Sequence, residues 1–271
     1  MEILLTNDDG IDAPGLRAAY ESLSEVGDVT VVAPSSNQSA VGRSLSYGRT
    51  AGNEGDFEFS SLSEFSFPVP HDDHELGYAV DGTPCDAVIL GINALETRPD
   101  IVVSGCNPGA NLGAAVLSRS GTASAAMEAA FLGVPAVAVS MDTLGYDPEL
   151  EPADFRETTD LAAQLVDYAL GANVFDEIDY LNVNGPGPHR TLDGLQLTRP
   201  TPVYEMDAVR SNGQFHLRNR LWEQMAEGDL PDPEGTDRRA VIAGRLSISP
   251  LGVPVEPRSH GALEAFAERV R

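Results

Sequence analysis

The chain has 271 residues, of which 42 are acidic and 17 are lysine or arginine, so its formal net charge is −25. All 17 are arginines, and no lysine occurs. The charge argues against binding to duplex nucleic acid or to anionic membranes, and the missing lysines exclude a Walker-type P-loop and Schiff-base chemistry.

The excess of carboxylates is typical of a solvated acidic surface adapted to concentrated salt. At molar salt the Debye length is about 3 Å, so repulsion between exposed carboxylates is largely screened. The opening residues, MEILLT, are too short and too acidic for an export signal, and no transmembrane run is visible. We therefore expect a cytoplasmic protein of a halophile.

Strand and helix signals alternate along the first 185 residues. The apolar run EILLT (2–6) has the length of a strand. Asp12 as N-cap with Pro14 in the first turn predicts a helix that runs to about Val26. Later segments repeat these two signals. Strands are predicted at 28–34, 100–105, 134–140 and 180–184, and helices are predicted to start near residues 84, 120 and 152.

Apolar strands that alternate with helices of about ten residues or more are typical of a parallel sheet covered on both faces. We therefore predict an α/β fold, with a three-layer Rossmann-like parallel sheet as the catalytic core over residues 1–190. Residues 191–256 carry strand-like stretches around the turn signal Ser211-Asn212-Gly213 and predict a β-rich extension with no place in the parallel core. Residues 257–271 are predicted to form a helical tail.

An acidic segment, residues 51–77, interrupts the alternation and predicts an excursion from the sheet. His71 and His74 lie there in the pattern HDDH, which mimics a metal motif. Because the pattern is remote from any predicted strand end, we expect a solvated loop instead.

Polar segments containing glycine follow the strands of the predicted core. They are NDDG (7–10), SSNQSAVGRS (35–44) and CNPGANLG (106–113), and SRSGT (118–122) opens a helix. In parallel sheets, ligands bind beyond the carboxyl ends of the strands. We therefore expect these segments to converge on one site.

Asp8 and Asp9 place two adjacent carboxylates at the end of the first strand. Such a pair is costly unless a cation neutralises it, and hard oxygen ligands suit Mg²⁺, Mn²⁺ or Ca²⁺. Asp8 capping a helix while Asp9 faces solvent is the alternative. The oxygen-rich neighbouring loops favour the metal.

The SGT segment exposes backbone N–H groups and two hydroxyls at a helix start, which favours an anion, although an ordinary serine cap is the alternative. Gly109 and Gly113 allow close approach of a ligand to the backbone. A metal beside an anion cradle suggests a phosphate ester as substrate.

The order of these motifs resembles the SurE survival proteins, a family of metal-dependent nucleoside-monophosphate phosphatases. The resemblance begins with ILLTNDDGIDAPGL and VVAPSSNQSAVG, continues through VDGTPCDAV and PDIVVSGCNPGANLG, and ends with SGTASAAMEAAFLGVPAVAVS, LNVNGP and TDRRAVIAGRLSISPL. It implies a homodimer or homotetramer. It also implies one divalent ion per subunit, Mg²⁺ or Mn²⁺, bound by Asp8, Asp9, Ser39 and the amide of Asn107.

The resemblance further implies phosphate contacts from residues after the third core strand and at the following helix start, namely Gly109, Asn111, Ser120, Gly121 and Thr122. Cys106 and Arg119 depart from the family pattern, which usually has an aliphatic residue and an aromatic residue at these positions. The Arg119 change puts recognition of the base in question but removes no metal ligand.

We therefore predict a 5′-nucleotidase that hydrolyses nucleoside monophosphates, with Asp8 and Asp9 as catalytic residues. Asp9 is expected to orient the attacking water or to act as its base. A phosphoaspartyl route usually needs a DxD arrangement, which the adjacent pair does not offer. A nucleotide-binding oligomeric regulator without turnover is the alternative function.

Overall fold

The computed structural model describes residues 1–46, 68–146, 148–227 and 230–253. Eleven strands are present in these ranges. They are β1 Glu2–Thr6, β2 Asp28–Pro34, β3 His71–His74, β4 Gly77–Val80, β5 Ile101–Pro108, β6 Ala136–Met141, β7 Tyr180–Gly185, β8 Leu195–Leu197, β9 Met206–Ser211, β10 Gln214–Asn219 and β11 Leu246–Leu251.

The α-helices of the described ranges cover the sheet and its carboxyl edge. They are α1 Pro14–Leu23, α2 Pro84–Asn93, α3 Ala114–Leu117, α4 Gly121–Phe131, α5 Pro152–Gly171, α6 Arg220–Glu227 and α7 Asp237–Ile242, and a 3₁₀ helix spans Val174–Asp176. None of them is long and apolar enough to cross a membrane.

The central sheet has nine strands in the order β3-β4-β2-β1-β5-β6-β7-β11-β8. The neighbours from β4 to β7 are parallel. The alternation of strands and helices predicts this for β1, β2, β5, β6 and β7, whereas β4 is not among the predicted strands. The chain passes from β1 to β2 on one side and later returns to β5 on the other side of β1. The carboxyl ends of β1 and β5 therefore flank a topological switch point, where ligands bind in such folds.

Side chains of β1 alternate between the two faces of the sheet, as the pleat requires. Ile3 and Leu5 belong to a core shared with α1 and α5, whereas Leu4 belongs to a core shared with α2 and α4. All three are almost fully buried. This arrangement confirms the predicted three-layer α/β core.

The strands after residue 190 behave differently from the prediction. β11 pairs antiparallel with β7 and parallel with β8, so both strands extend the central sheet. The expectation that no strand of this region belongs to the core is wrong, because Leu246 and Ile248 on β11 are buried in the same cluster as β1. The division at residue 190 stays a prediction.

The β9–β10 hairpin is the separate β-rich element of the extension. Asn212 and Gly213 at its tip have φ angles of 50° and 78°. Positive φ at both central residues is what a two-residue hairpin turn needs, so the turn signal is confirmed.

Local predictions are wrong at three points. Helix α1 starts at Pro14 with Ala13 as its N-cap and ends at Leu23, so Asp12 does not cap it. His71 and His74 lie in strand β3, which pairs with β4 at the sheet edge, rather than in a loop. Exposed charged residues are common on such edges, which explains the polar sequence. Of the excursion predicted over residues 51–77, the part at 51–67 lies outside the described residues, as does the predicted tail at 257–271. Residues 71–74 and Gly77 belong to β3 and β4, so this part of the segment is not an excursion from the sheet.

Candidate active site

Three loops and one helix meet at the carboxyl edge beside β1. β1 lies between β2 and β5, with Thr6 opposite Ser104, so the loops that follow these strands are neighbours. The backbone N–H of Gln38 donates to the carbonyl of Asp8 at 2.7 Å, which ties the serine-rich loop to the aspartate pair. The expected convergence of the polar segments is present at this edge.

Asp8 is buried against the start of α4. Its side chain is 4% exposed, and its Oδ1 accepts a 2.6 Å hydrogen bond from the hydroxyl of Thr122. A Cβ added to Gly121 would lie 2.7 Å from Asp8 Cβ and Oδ2, so only glycine lets the helix approach this closely. Burial raises the pKa of Asp8, while hydrogen bonds from Thr122 and from the backbone of Gly121 oppose the rise.

Asp9 has a buried carboxylate oxygen with no hydrogen-bond partner in the described part of the chain, Oδ2. Its Oδ1 is 3.5 Å from Asn37 Nδ2. Burial and then the charge of Asp8 raise the pKa of Asp9 to about 7. A desolvated carboxylate oxygen beside a second carboxylate fits a divalent cation, which would neutralise both.

Ser39 and Asn107 lie in the loops after β2 and at the end of β5. Ser39 is exposed, and its backbone N–H donates to Asn37 Oδ1 at 2.8 Å, which links it through Asn37 to Asp9. The side-chain Nδ2 of Asn107 donates to the carbonyl of Gly109, which leaves its Oδ1 as the oxygen that can bind a cation.

Within the described ranges, no three or more His, Cys, Asp or Glu side chains cluster in a way that could hold a metal ion. A cation at Asp8 and Asp9 would therefore need neutral oxygen ligands, such as the Ser39 hydroxyl and the Asn107 amide. A set of two carboxylates with hydroxyl and amide oxygens suits hard cations such as Mg²⁺.

The predicted phosphate ligands are partly used in internal hydrogen bonds. Ser120 is the N-cap of α4, and its Oγ accepts from the backbone N–H of Ala123 at 3.0 Å. Thr122 donates its hydroxyl hydrogen to Asp8, so that hydrogen is not free for an anion. The helix start confirms the predicted element, and the Thr122 hydroxyl supports the Asp8 carboxylate, while the predicted phosphate contact at Thr122 stays a prediction.

Asn111 is the centre of a buried amide network. Its backbone N–H donates to Asn184 Oδ1 at 2.7 Å, and Asn182 Nδ2 donates to its carbonyl at 3.0 Å. Its own Nδ2 donates to Ser140 Oγ at 2.9 Å and to Thr122 Oγ1 at 3.3 Å. The network connects β6 and β7 to Thr122, and Thr122 connects it to Asp8.

Sequence reasoning missed the asparagines of this network. The signal was available, because LNVN places two amides at alternate positions of a strand that is otherwise apolar. Alternate positions point to the same face of a sheet. Asn182 and Asn184 are both fully buried, so they serve as hydrogen-bonding groups inside the core.

Asp237 accepts hydrogen bonds that fix the loop after β5 to the region after residue 190. One of its oxygens, Oδ2, accepts from the backbone N–H of Gly113 at 2.7 Å, and Oδ1 accepts from that of Thr201 at 3.0 Å. Asp237 is buried at the start of α7. The region after residue 190 therefore helps to shape the loop that carries Gly109 and Asn111.

Comparison with known proteins gives one consistent result. The family described as survival protein SurE matches residues 3–205. The chain is 52% identical over 275 residues to a protein of Natronomonas pharaonis named 5′-nucleotidase SurE, and the match covers 99% of each. It is 50% identical over 272 residues to a protein of the same name from Haloarcula marismortui, which covers 98% of this chain and 94% of that one.

Among solved structures, the fold is similar to the SurE protein from Aquifex aeolicus. The two share 29% sequence identity with a TM-score of 0.75, and the match covers 100% of both chains. The similarity therefore extends over the region after residue 190 as well as over the parallel core.

Proposed function

The chain belongs to the SurE family, and on that premise we propose that it is a metal-dependent 5′-nucleotidase, which hydrolyses nucleoside monophosphates to nucleoside and inorganic phosphate. The relatives named 5′-nucleotidase SurE at about half identity over nearly the whole chain support this activity. They favour it over a nucleotide-binding regulator without turnover.

The pair of buried Asp8 and half-buried Asp9 at the switch point is the observation that carries the proposal. Two carboxylates, one of which has a buried oxygen that no described residue hydrogen-bonds, are costly in a protein that only binds nucleotides, because phosphate is also negative. A cation held by the pair would neutralise this charge and make binding of a phosphoryl group favourable. We assign Asp8, Asp9, the Ser39 hydroxyl and the Asn107 amide oxygen as the residues that would hold one Mg²⁺ or Mn²⁺ ion.

A divalent cation held there would supply Lewis-acid polarisation of the phosphoryl oxygens and neutralise their developing charge. The residues of this chain supply the rest. Asp8 is held rigidly by Thr122 and the start of α4, so its carboxylate is pre-oriented. Asp9, whose Oδ2 has no hydrogen-bond partner among the described residues, is placed to orient the attacking water or to accept its proton.

The phosphoryl group is proposed to lie between the aspartate pair, the loop at Gly109 and Asn111, and the segment Ser120–Thr122. The hydroxyl hydrogen of Ser120 is available to such an anion, because its Oγ acts only as an acceptor in the helix cap. The positive end of α4 adds favourable electrostatics at the same place.

The surface composition supports a halophile's cytoplasm as the setting, since relatives of this acidic chain include proteins from haloarchaea. The proposed partners are the nucleotide substrate and further copies of the chain, in a dimer or tetramer.

Phosphate release from a panel of nucleoside monophosphates, each with Mg²⁺, Mn²⁺ or Ca²⁺ in molar KCl, tests the activity. We expect release from 5′-monophosphates that stops with EDTA and returns with one of these ions. The matched control is Asp9→Asn, which keeps the size of the side chain and removes its charge. No release from any nucleotide with any of these ions would overturn the proposal.

A further inference from the structure

A cavity of about 390 Å³ lies beside the proposed phosphate site, between the loop after β5 and the elements that follow residue 200. One wall comes from Gly109, Leu112 and Arg119, and the facing wall from Tyr204, Leu221 and Trp222. Small-molecule sites in proteins usually have volumes of about 300–1,000 Å³. The cavity therefore has the size of a site for a small organic molecule.

The cavity lies close to the aspartate site, because residues of its lining are near neighbours in sequence of residues at that site. Arg119, in its wall, is two residues from Gly121, which contacts Asp8. Consecutive Cα atoms are about 3.8 Å apart, so these two positions lie within about 8 Å of each other. Gly109 joins the two regions a second time, because its carbonyl accepts from Asn107 while the residue lines the cavity.

The lining combines flat and polar groups. The Arg119 guanidinium lies 5.1 Å from the centre of the Tyr204 ring, and Trp222 faces the same space with 61% of its surface exposed. Asp142 also lines the cavity, is 2% exposed, and has an Oδ2 without a hydrogen-bond partner among the described residues. A ligand with a planar ring and N–H or O–H donors would match these groups.

We propose that this cavity receives the nucleoside half of the substrate, with Tyr204 and Trp222 as the surface on which the base stacks. The inference rests on the proposed function for the position of the phosphate. Aromatic side chains stack on every base, so the cavity accepts several bases, and Asp142 offers an acceptor to a donor group of the nucleoside. Ribose and base then extend from the aspartate site over Arg119.

Substrates with and without a base give the kinetic test. The ratio of kcat/KM for AMP to kcat/KM for ribose 5-phosphate measures the contribution of the base alone. Trp222→Ala and Tyr204→Ala should each lower this ratio about tenfold, mainly through KM for AMP, and leave ribose 5-phosphate almost unchanged. Tyr168→Ala is the matched control, because Tyr168 is an exposed aromatic residue of α5 outside the cavity lining.

Trp222 also provides a binding signal, since it is the single tryptophan of the chain. Titration of the full chain with adenosine, in Mg²⁺ and 3 M KCl, should change its fluorescence, whereas D-ribose should not. Tyr204→Ala should weaken the adenosine response, and Tyr168→Ala should keep it.

An unchanged AMP to ribose 5-phosphate ratio in Trp222→Ala and Tyr204→Ala would overturn the inference. The inference would also be overturned if the Trp222 emission did not change with adenosine and changed only with protein concentration. That result would indicate that a second copy of the chain fills the cavity. Failure of the proposed function is distinguishable, because the adenosine titration does not require turnover.

Discussion

The hydroxyl of Thr122 donates a 2.6 Å hydrogen bond to Oδ1 of Asp8, so the first residues of α4 support the carboxylate at the end of β1. The same hydroxyl accepts from Asn111 Nδ2 at 3.3 Å. Thr122 thereby joins the amide network of β6 and β7 to the proposed metal site. This makes it a positioning residue, whose effect on the reaction passes through Asp8.

Thr122→Val should therefore lower kcat/KM by about 10–100-fold, because it removes one hydrogen bond to a charged group. The factor should be similar for AMP, GMP and ribose 5-phosphate, since the lost contact is with the enzyme and not with the base. Thr122→Ser keeps the hydroxyl and should retain most of the activity. A Thr122→Val enzyme impaired on only one nucleotide would show that the residue recognises the base.

Asp9→Asn should reduce turnover at least about 100-fold, because the substitution removes both a proposed ligand charge and the proposed water-orienting group. The protein should still fold, since the asparagine has the same shape and Asp9 makes few hydrogen bonds. Circular dichroism of the variant checks the fold, and calorimetric titration with Mn²⁺ checks the ligand role. Wild-type activity in protein verified as metal-free would contradict the metal assignment.

Asp9 should also make metal binding depend on pH. In the chain without a cation, burial and the charge of Asp8 raise its pKa from 3.8 to about 7. A proton therefore competes with the cation below about pH 7, and the rise in Tm on adding Mg²⁺ should be larger at pH 8 than at pH 5.5.

The same shift has a stability consequence of opposite sign in the metal-free protein. Because the pKa of Asp9 is higher in the folded than in the unfolded chain, its protonation stabilises the folded state. This contribution is complete at pH values below the unfolded pKa of 3.8 and is lost as the pH rises through about 7. Metal-free wild type should accordingly lose Tm between pH 5 and pH 8 relative to Asp9→Asn, as thermal melts in EDTA can measure. Parallel pH curves for the two proteins would mean that Asp9 is not desolvated as the structure indicates.

The sequence predicts β1, β2, β5, β6 and β7 of the parallel core because each has a mainly apolar run and the helices between them are long enough to cross back, but it does not predict β4. It predicts strands where β8 and β11 lie but not their place in the central sheet, since the pairing of β11 with β7 and with β8 joins distant segments. At the site, the sequence locates Asp8 and Asp9 because adjacent carboxylates after a buried strand are unusual. The sequence does not predict that Asn182 and Asn184 are buried, because neutral amides at alternate positions of a strand are equally compatible with an exposed face.

Salt should stabilise the protein, because the 42 acidic residues exceed the 17 arginines by 25. Even if every arginine paired with one carboxylate, 25 carboxylates would remain without an arginine partner. We expect Tm to rise substantially from 0.1 M to 3 M KCl as their repulsion is screened. A near-neutral protein of similar size, melted in the same buffers, controls for general salt effects, and equal slopes for the two would contradict the explanation.

The β9–β10 hairpin is expected to join two copies of the chain. Phe215 and Leu217 on β10 are 78% and 79% exposed and occupy alternate positions, so they form an apolar pair on one face of a projecting hairpin. Deleting residues 200–222 is a poor test, because Thr201 lies in that range and bonds to Asp237 and to Ala114. Phe215→Asp with Leu217→Asp is sharper, since it leaves these contacts in place.

The double variant should be monomeric by light scattering in 3 M KCl, whereas the wild type should have at least twice that mass. His216→Asp is the matched control, because His216 lies between the two apolar residues on the opposite face of β10 and is also exposed. It adds one negative charge to the same strand and should leave the assembly intact. If the intact chain is already monomeric at this salt concentration, the hairpin does not mediate self-association, and its exposed residues must be explained by another contact.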